Sequence, residues 1–321
     1  MLLLYVSDSR RQPPVNLLKL KIIELLDKHK KITPVAHELD LKQPTITYHM
    51  KSLEQEMGVK LFEARADKML LTAPGKALLH YAVRINKLAQ EAERVVMEYG
   101  SLARGKLTIG ASYVPATYVL PEVLSDFSKH HPGIEISVLV KPAPIIKEKL
   151  WNHDIHLGLI SSEPFEQPSL STHSICEDEL VVIFAPNHHL AAYETLNPGL
   201  IATANFVLHG EQSSTREMTT RWLNNHRIDL IGPIELDSIE AIKQTVQQGG
   251  HIAFISELSV QEEVRKGQLL MRKIPNTRFQ RSIYCCYNKD RYDSRLTEQF
   301  IDTLHRSFKN SPAPSINYWK N

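Results

Sequence analysis

Cysteine is scarce in this sequence, and long apolar runs are missing from it. The chain has three cysteines among 321 residues, Cys176, Cys285 and Cys286, and two of them are neighbours. An odd number at this spacing excludes a disulfide framework, and adjacent cysteines rarely supply the four-ligand pattern of a zinc site. No stretch approaches the roughly 20 apolar residues that span a bilayer. We therefore interpret the cysteines as buried or edge-strand residues, with a redox sensor as the alternative, and we expect no membrane association.

Signatures of catalysis are missing as well. The sequence has no phosphate-binding glycine loop, no nucleophile elbow and no zinc-binding helix of the protease type. Six of its 15 histidines occur as close pairs, at 130–131, 153 with 156, and 188–189, and these pairs lack the helical spacing or the cysteine partners of strong metal sites. The sequence therefore predicts a protein that is not an enzyme and that has no cofactor and no metal site.

Charge of one sign is not in large excess. The net charge is +2 at neutral pH, and residues 1–71 hold 12 basic and 9 acidic side chains. That slight basic excess has the sign of a DNA-binding end, although it is too small to decide the question. The chain starts with apolar residues followed by arginines, which is the reverse of a secretory signal. We expect a cytoplasmic protein.

Three helices are predicted near the start of the chain. Residues 16–31 place apolar side chains on one helical stripe, and a short second helix covers 33–39, with Thr33 as a fair N-cap. After a four-residue break at 40–43, Pro44 opens a third helix that Gly58 ends. Two short helices joined by a tight turn are a helix-turn-helix candidate, although any small helical domain contains such turns.

The outward face of the third helix sharpens this prediction. It carries uncharged hydrogen-bonding side chains beside one lysine: Gln43, Thr45, Thr47, Tyr48, Lys51 and Gln55. Amides and hydroxyls can read base edges in the major groove while lysine meets phosphate, whereas an ordinary solvated face would carry more Glu and Lys. Two short strands then surround a polar turn at 64–68, where Arg65 and Lys68 can contact DNA as a wing would. We include Thr33 among the expected DNA contacts.

A sustained heptad seam follows between Thr72 and Tyr99. Its members recur at alternating spacings of 4 and 3: Leu78, Ala82, Ile85, Ala89, Ala92, Val96 and Tyr99. This pattern is typical of a helix that pairs with another helix, and a helix packed on its own domain is the alternative. A dimer suits a DNA reader, because two recognition helices can then meet two half-sites about one turn apart.

Beyond the segment GSLARG at 100–105, strand-like runs alternate with helical patterns. The strands include KLTIGA, IEISVLV, IHLGLI, ELVVIFA, HIAFIS and RSIYCCY. This alternation predicts an α/β domain with mainly parallel sheets.

Several motifs together resemble the LysR-type transcriptional regulators, from about Val15 to Phe308. The segment ITPVAHELDLKQPTITYHMKSLEQEMGVKLFE matches the DNA-binding signature of that family in its Gln-Pro turn, its Leu-Glu pair and its Gly-Val-Lys-Leu-Phe-Glu tail. Farther on, GKLTIGAS, HLGLISSE and TVQQGGHIAFIS resemble the effector domain of the family. The resemblance implies a winged helix-turn-helix, a linker helix and a two-subdomain, periplasmic-binding-protein-like effector domain. It also implies a homodimer or tetramer that binds promoter DNA, contacts RNA polymerase and senses a small metabolite.

The sequence departs from the family at three places. Lys42 stands before Gln-Pro, where a serine usually caps the recognition helix, and a basic or polar residue is common near Tyr48. Ala64 replaces the arginine that usually follows Phe-Glu, with Arg65 one residue later. The DNA sequence that the family reads therefore cannot be carried over to this chain.

The resemblance also places an effector site between the subdomains. Ser112 and Tyr113 follow the first strand, Ser161 and Ser162 follow IHLGLI, and a polar group precedes a helix of the second subdomain: Ser213, Ser214, Thr215 and Arg216. Hydroxyls and free N–H groups at a helix start favour an anion, and Arg216 adds charge. We expect a small anionic metabolite, with helix caps and strand ends as the alternative explanation of these serines.

These expectations give a domain plan. Residues 1–14 precede the usual start of the family, and Val15 is an alternative translation start. The DNA-binding domain covers 15–72, the linker helix 73–104 and the effector domain 105–309, with subdomain I at about 105–177 and 280–309, subdomain II at 178–279 and a tail at 310–321. The competing hypotheses are a regulator that senses no ligand and a solute-binding protein with no DNA-binding role.

Overall fold

The chain forms two compact units that divide between Met97 and Glu98. The computed structural model describes residues 16–100, 105–274, 277, 281–290 and 294–308. Within these ranges, no helix combines the length and the apolarity needed to cross a bilayer.

The first unit is a winged helix-turn-helix followed by a long helix. Its elements are α1 (Leu17–His29), α2 (Ile32–Glu38), α3 (Gln43–Met57), the hairpin strands β1 (Phe62–Arg65) and β2 (Lys68–Leu71), and α4 (Ala73–Gly100). One apolar core lies under all of these elements except the far end of α4, and it includes Ile23, Leu26, Ile46 and Leu53.

Local signals account for most of these boundaries. The side chain of Asn16 accepts a hydrogen bond from the amide of Lys19 and starts α1. Pro44 lies in the first turn of α3, and Gly58 ends that helix with a left-handed φ of 69°. The start of α2 differs from the prediction, because Thr33 is not its cap. The helix begins at Ile32 without a side-chain cap, and Thr33 lies inside its first turn.

Two contacts fix the hairpin to the helices. The Glu54 carboxylate accepts hydrogen bonds from the backbone N–H groups of Leu61 and Phe62, at 2.9 and 3.1 Å. The amide of Met69 donates to the carbonyl of Lys30 at 2.8 Å. Burial raises the pKa of Glu54, but the hydrogen bonds from Lys60, Phe62 and Leu61 outweigh it, so that the pKa lies below its ordinary value of 4.5.

The linker helix starts where the sequence predicted. The Thr72 hydroxyl accepts a hydrogen bond from the amide of Gly75 at 3.2 Å, which caps α4. It also donates to the carbonyl of Lys60 at 2.7 Å, which ties the start of α4 to the segment before β1. Gly75 has no room for a side chain, since a Cβ there would lie 2.2 Å from the carbonyl oxygen of Leu61.

The second unit contains a five-stranded sheet, sheet A. Its strand order is β4-β3-β5-β12-β6, where β3 pairs in parallel with β4 and β5, and β12 runs antiparallel to β5 and β6. The strands are β3 (Gly105–Ala111), β4 (Ile134–Val140), β5 (Leu157–Ser162), β6 (Leu170–Glu177) and β12 (Ser282–Asn288).

The remaining strands of this unit form two further sheets. The three-stranded antiparallel sheet B has the order β10-β7-β11, and a parallel pair, β8-β9, adjoins it through a bridge between Phe206 and Ile252. The strands are β7 (Leu180–Phe184), β8 (Val207–His209), β9 (Ile234–Leu236), β10 (Ala253–Ser256) and β11 (Leu270–Lys273). The prediction of mainly parallel sheets is wrong, because sheet B is antiparallel and two of the four strand pairs in sheet A are antiparallel too. Apolar alternation along the chain reveals strands and helices but not the direction in which strands pair.

Helices cover both sheets. They are α5 (Tyr113–Tyr118), α6 (Leu120–His130), α7 (Ala143–Trp151), α8 (Pro198–Ile201), α9 (Ser214–Asn225), α10 (Ile239–Gln247), α11 (Gln261–Arg265) and α12 (Arg295–Phe308). The largest core cluster lies between sheet A and the helices α5, α6 and α12, and it contains Phe127 and Phe300 in edge-to-face contact. Separate clusters lie on the two faces of sheet B.

The chain passes between the two sheets twice. Asp178 lies between β6 and β7, and Arg281 directly precedes β12. The amide of Asp178 donates a hydrogen bond to the carbonyl of Arg281 at 3.0 Å, so the two crossing segments are joined by their backbones.

The contact between α3 and the hairpin gives a stability prediction. We expect Glu54→Ala to lower the free energy of unfolding of the first unit by about 1–3 kcal/mol, because the buried N–H groups of Leu61 and Phe62 lose their acceptor. Hydrogen–deuterium exchange of residues 58–71 measures this, and the exposed neighbour Gln55 provides the control Gln55→Ala. Unchanged exchange in Glu54→Ala contradicts the assignment.

This effect also depends on pH. Since the folded-state pKa of Glu54 is lowered, its contribution is complete above the ordinary value of 4.5 and is lost as the pH falls through the folded pKa. The difference in exchange between Glu54→Ala and the parent protein is therefore expected to shrink below pH 4.5.

Candidate functional site

The exposed side of α3 carries a shallow depression. Four of the residues predicted to contact DNA line it together with Lys42 and Pro44: Gln43, Thr47, Tyr48 and Lys51. Tyr48 has 67% of its surface exposed. The hydroxyl of Thr47 donates to the carbonyl of Gln43 at 3.1 Å and keeps its oxygen as an acceptor. Sequence reasoning missed Lys42, which cannot cap α3 but places an ammonium group beside this face.

The other predicted DNA contacts lie outside this depression. Thr33 is exposed in the first turn of α2, while Thr45 is half-buried at the start of α3. Arg65 and Lys68 are exposed and face each other across the last pair of the hairpin. The hairpin tip is held by Lys31, which forms an ion pair with Asp67 at 2.5 Å and lowers the pKa of that carboxyl group. This ion pair connects the turn of the hairpin with the start of α2.

The predicted seam on α4 divides into two parts. Ala82 is fully buried and packs with Leu78 in the core of its own unit, because this part of α4 covers the helix-turn-helix. Ile85, Ala92 and Val96 are exposed, Ala89 is half-buried, and the side chain of Tyr99 lies outside the described residues. The exposed apolar face also includes two residues that the prediction missed, Tyr81 and Leu88, with 59% and 50% of their surfaces exposed.

A second heptad register explains why the exposed apolar face of α4 differs from the predicted seam. Tyr81, Ile85, Leu88 and Ala92 follow one another at spacings of 4, 3 and 4, which is the same pattern as the predicted seam but rotated on the helix. The sequence supports both registers near Ile85, and packing against the core of the first unit decides which side of the first turns is buried.

A cavity of about 400 Å³ lies in the second unit, between sheet A and sheet B. Six of the eight residues predicted to bind the effector line it: Ser112, Tyr113, Ser161, Ser213, Ser214 and Thr215. They come from the ends of β3 and β5 and from the start of α9, since strand ends and helix starts meet at this edge.

Hydrogen bonds hold several of these groups in place. The Ser112 hydroxyl accepts from the amide of Ser161 at 3.0 Å, and the Ser214 hydroxyl donates to the carbonyl of Ser161 at 3.0 Å. The hydroxyl of Ser161 itself is buried, and no described residue lies within hydrogen-bonding reach of it. An unpartnered polar atom in a cavity wall is a candidate for contact with a ligand.

Two predicted residues do not reach the cavity. The hydroxyl of Ser162 donates to the carbonyl of Glu163. The guanidinium of Arg216 donates to the carboxylate of Glu235 at 2.7 Å and to the carbonyl of His209 at 2.8 Å. Position in the sequence was misleading here, because adjacent residues at a helix start point in different directions.

The cation that does line the cavity is Arg281, which sequence reasoning missed. Only 3% of its surface is exposed, and its guanidinium donates to the hydroxyl of Thr215 at 2.7 Å. It forms an ion pair with Asp178, at 2.9 Å between Nε and Oδ2. The signal that could have found it is an arginine directly before the buried strand SIYCCY, where an unpaired charge would be costly.

Four helices begin at the cavity wall. The first residues of α5, α7, α9 and α10 all line it: Tyr113, Ala143, Ser214 and Ile239. The N-terminus of a helix offers unpaired N–H groups and a partial positive charge. Together with Arg281, these helix starts make the inner wall favourable for a negative group.

Histidine adds no positive charge to this wall. His209 is buried and its Nε2 lies 3.2 Å from the carbonyl oxygen of Phe254. Burial, reinforced by the charge of Arg281, lowers the pKa of His209 to about 4, so the ring is neutral at neutral pH. Three exposed acidic side chains, Glu211, Glu235 and Asp237, line the outer edge together with the exposed Lys141, and Glu235 is paired with Arg216. A negative ligand is therefore favoured at the buried end.

Comparison with known proteins agrees with this arrangement. Residues 17–76 match the family model of the bacterial regulatory helix-turn-helix protein, lysR family, and residues 100–309 match the LysR substrate binding domain. A probable RuBisCO transcriptional regulator of Phaeodactylum tricornutum is 30% identical over 298 residues, which are 91% of this chain and 97% of that protein.

Solved structures show the same fold. A full-length OxyR variant from Pseudomonas aeruginosa superposes with a TM-score of 0.65 at 19% identity, covering 93% of this chain and 96% of its own. The CcmR regulatory domain of Synechocystis PCC6803 in complex with 2-PG has a TM-score of 0.58 at 28% identity, covering 65% of this chain and 100% of its own. With both domains matched in order along the chain, the protein belongs to the LysR family of transcriptional regulators.

Proposed function

We propose that this regulator binds promoter DNA as a homodimer, with α3 in the major groove, and that a small anion in the cavity of the second unit changes that binding. The proposal of an anionic ligand rests on the cavity wall, where four helices begin around one buried arginine. A buried guanidinium needs a negative partner, and at this wall Asp178 is one such partner and a bound anion would be another.

The DNA-binding part rests on the exposed face of α3. Hydroxyl, amide and phenol groups there can contact base edges and sugars, and Lys51 and Lys42 are placed for phosphates. The hairpin packs on the same core and is held by Glu54, so that Arg65 and Lys68 can reach a second stretch of DNA backbone.

The homodimer rests on the exposed apolar face of α4. Tyr81, Ile85, Leu88 and Val96 are each at least 42% exposed, which is more apolar surface than a solvated helix needs. A second copy of the same helix would cover it and would present two recognition helices to the DNA.

The similar proteins suggest which promoters and which ligand to test first. The name of the Phaeodactylum tricornutum relative points to RuBisCO genes as the first promoters to test, and the CcmR complex points to 2-PG as the first ligand. A regulator that senses no ligand is the second candidate function.

The first test concerns DNA. We expect Thr47→Ala and Lys51→Ala to weaken promoter binding without unfolding the protein, because both side chains lie on the exposed face of α3. Lys51→Ala removes one phosphate contact per protomer, and the slope of log K against log salt should therefore become smaller in magnitude by about 1 per protomer. Fluorescence anisotropy at several salt concentrations measures both effects.

Lys266→Ala is the control for the lysine variant, since it removes an exposed lysine from the second unit. If Thr47→Ala and Lys51→Ala both bind the promoter as tightly as the parent protein does, α3 does not lie in the major groove.

The second test concerns the ligand. A bound anion raises the melting temperature by mass action, and we expect 2-PG or inorganic phosphate to do so for the parent protein. Ser112→Ala should reduce this rise, because Ser112 positions the Ser161 segment of the cavity wall. Basal DNA binding should remain.

Ser162 provides a matched control, because it does not line the cavity and its hydroxyl donates to the carbonyl of Glu163. Ser162→Ala should retain the anion-induced rise. If Ser162→Ala loses the rise and Ser112→Ala keeps it, the cavity is not the effector site. If none of the anions shifts the parent protein, the ligand-independent regulator is favoured.

A further inference from the structure

Two buried charges meet where the chain crosses between the sheets of the second unit. The side chains of Asp178 and Arg281 are 0% and 1% exposed, and their charged groups lie 2.9 Å apart. The backbones of the same two residues are joined by the hydrogen bond from the amide of Asp178 to the carbonyl of Arg281. One ion pair thus lies at both crossing segments.

Each partner has a further contact, in a different direction. The hydroxyl of Ser256, at the end of β10, donates to the Asp178 carboxylate. The guanidinium of Arg281 donates to Thr215 in the first turn of α9, at 2.7 Å. Arg281 and Thr215 line the cavity, whereas Asp178 does not. The arginine therefore has one side toward its counter-ion and another toward the space for a ligand.

We propose that Arg281 is the residue that binds the charged group of the effector, and that the effector competes with Asp178 for this guanidinium. The proposal rests on the anion-binding function proposed above for this cavity. A buried guanidinium needs a counter-ion, and Asp178 supplies it when the cavity is empty. A bound anion takes over part of that interaction.

The position of the pair gives this competition a consequence. Asp178 follows the last strand of sheet A before the chain enters sheet B, and Arg281 precedes the strand with which the chain returns to sheet A. Weakening their ion pair changes what holds the two sheets together at that point. Occupation of the cavity is thereby linked to the relative position of the two subdomains.

The variant Asp178→Asn tests the competition. Asparagine keeps the shape of the side chain and can still accept from Ser256, but it leaves Arg281 without its counter-ion. We expect a lower melting temperature without anion and an affinity for inorganic phosphate that is about ten- to hundredfold higher, from the removal of a nearby like charge. Calorimetric titration and thermal melting at constant ionic strength measure both quantities.

Glu179→Gln is the matched control. It removes the same charge from the adjacent residue, whose carboxylate is 39% exposed, pairs with Lys273 and lies outside the cavity. Its phosphate affinity is expected to equal that of the parent protein.

A double variant, Asp178→Asn with Arg281→Gln, removes both charges and leaves no unpaired ion buried. It is expected to fold and to lose phosphate binding. The double variant also tests the role of Arg281 if Asp178→Asn alone does not fold. Phosphate binding equal to that of the parent protein would show that Arg281 does not bind the anion.

The outcomes separate this proposal from the one on which it rests. No phosphate binding by the parent protein contradicts the anion cavity itself. If the parent protein binds phosphate and a folded Asp178→Asn shows equal or weaker affinity, the cavity stands and the competition between Asp178 and the anion is wrong.

Discussion

The second unit depends on one buried interaction, the ion pair between Asp178 and Arg281 at the place where the chain crosses twice between two sheets. Removing two charges from water is costly, and the cost is offset only when each charge has good partners. Here Ser256 and Thr215 provide them, one from each side. The same arginine reaches the cavity, so the junction of the two sheets and the binding site share a residue.

In the first unit, the exposed face of α3 and the hairpin are held in place by a small number of contacts. A short hairpin has little stability of its own, and here it is fixed by Glu54 on α3 and by the carbonyl of Lys30 after α1. Thr72 then connects the end of the hairpin to α4. The exposed face of α3, the hairpin and the linker helix thus depend on a few hydrogen bonds, and those made by the side chains of Glu54 and Thr72 can be removed by single substitutions.

Local chemistry made much of this predictable from the sequence. Pro44 and Gly58 mark the two ends of α3, Thr72 marks the start of α4, and six of the eight predicted effector residues line one cavity. What failed was set by distant contacts. Strand direction in both sheets follows from topology, the buried side of α4 follows from the core of the first unit, and Arg281 reaches the cavity only because β12 returns to sheet A.

A DNase footprint on the DNA upstream of the gene for this protein tests the central claim most directly, recorded with and without the anion that gives the largest thermal shift. We expect protection over several helical turns around an inverted repeat, because two recognition helices of a dimer meet two half-sites. We also expect its boundaries to change when the anion is added. A folded dimer that gives no protection at low salt, there or on DNA selected from random sequence, would contradict the account.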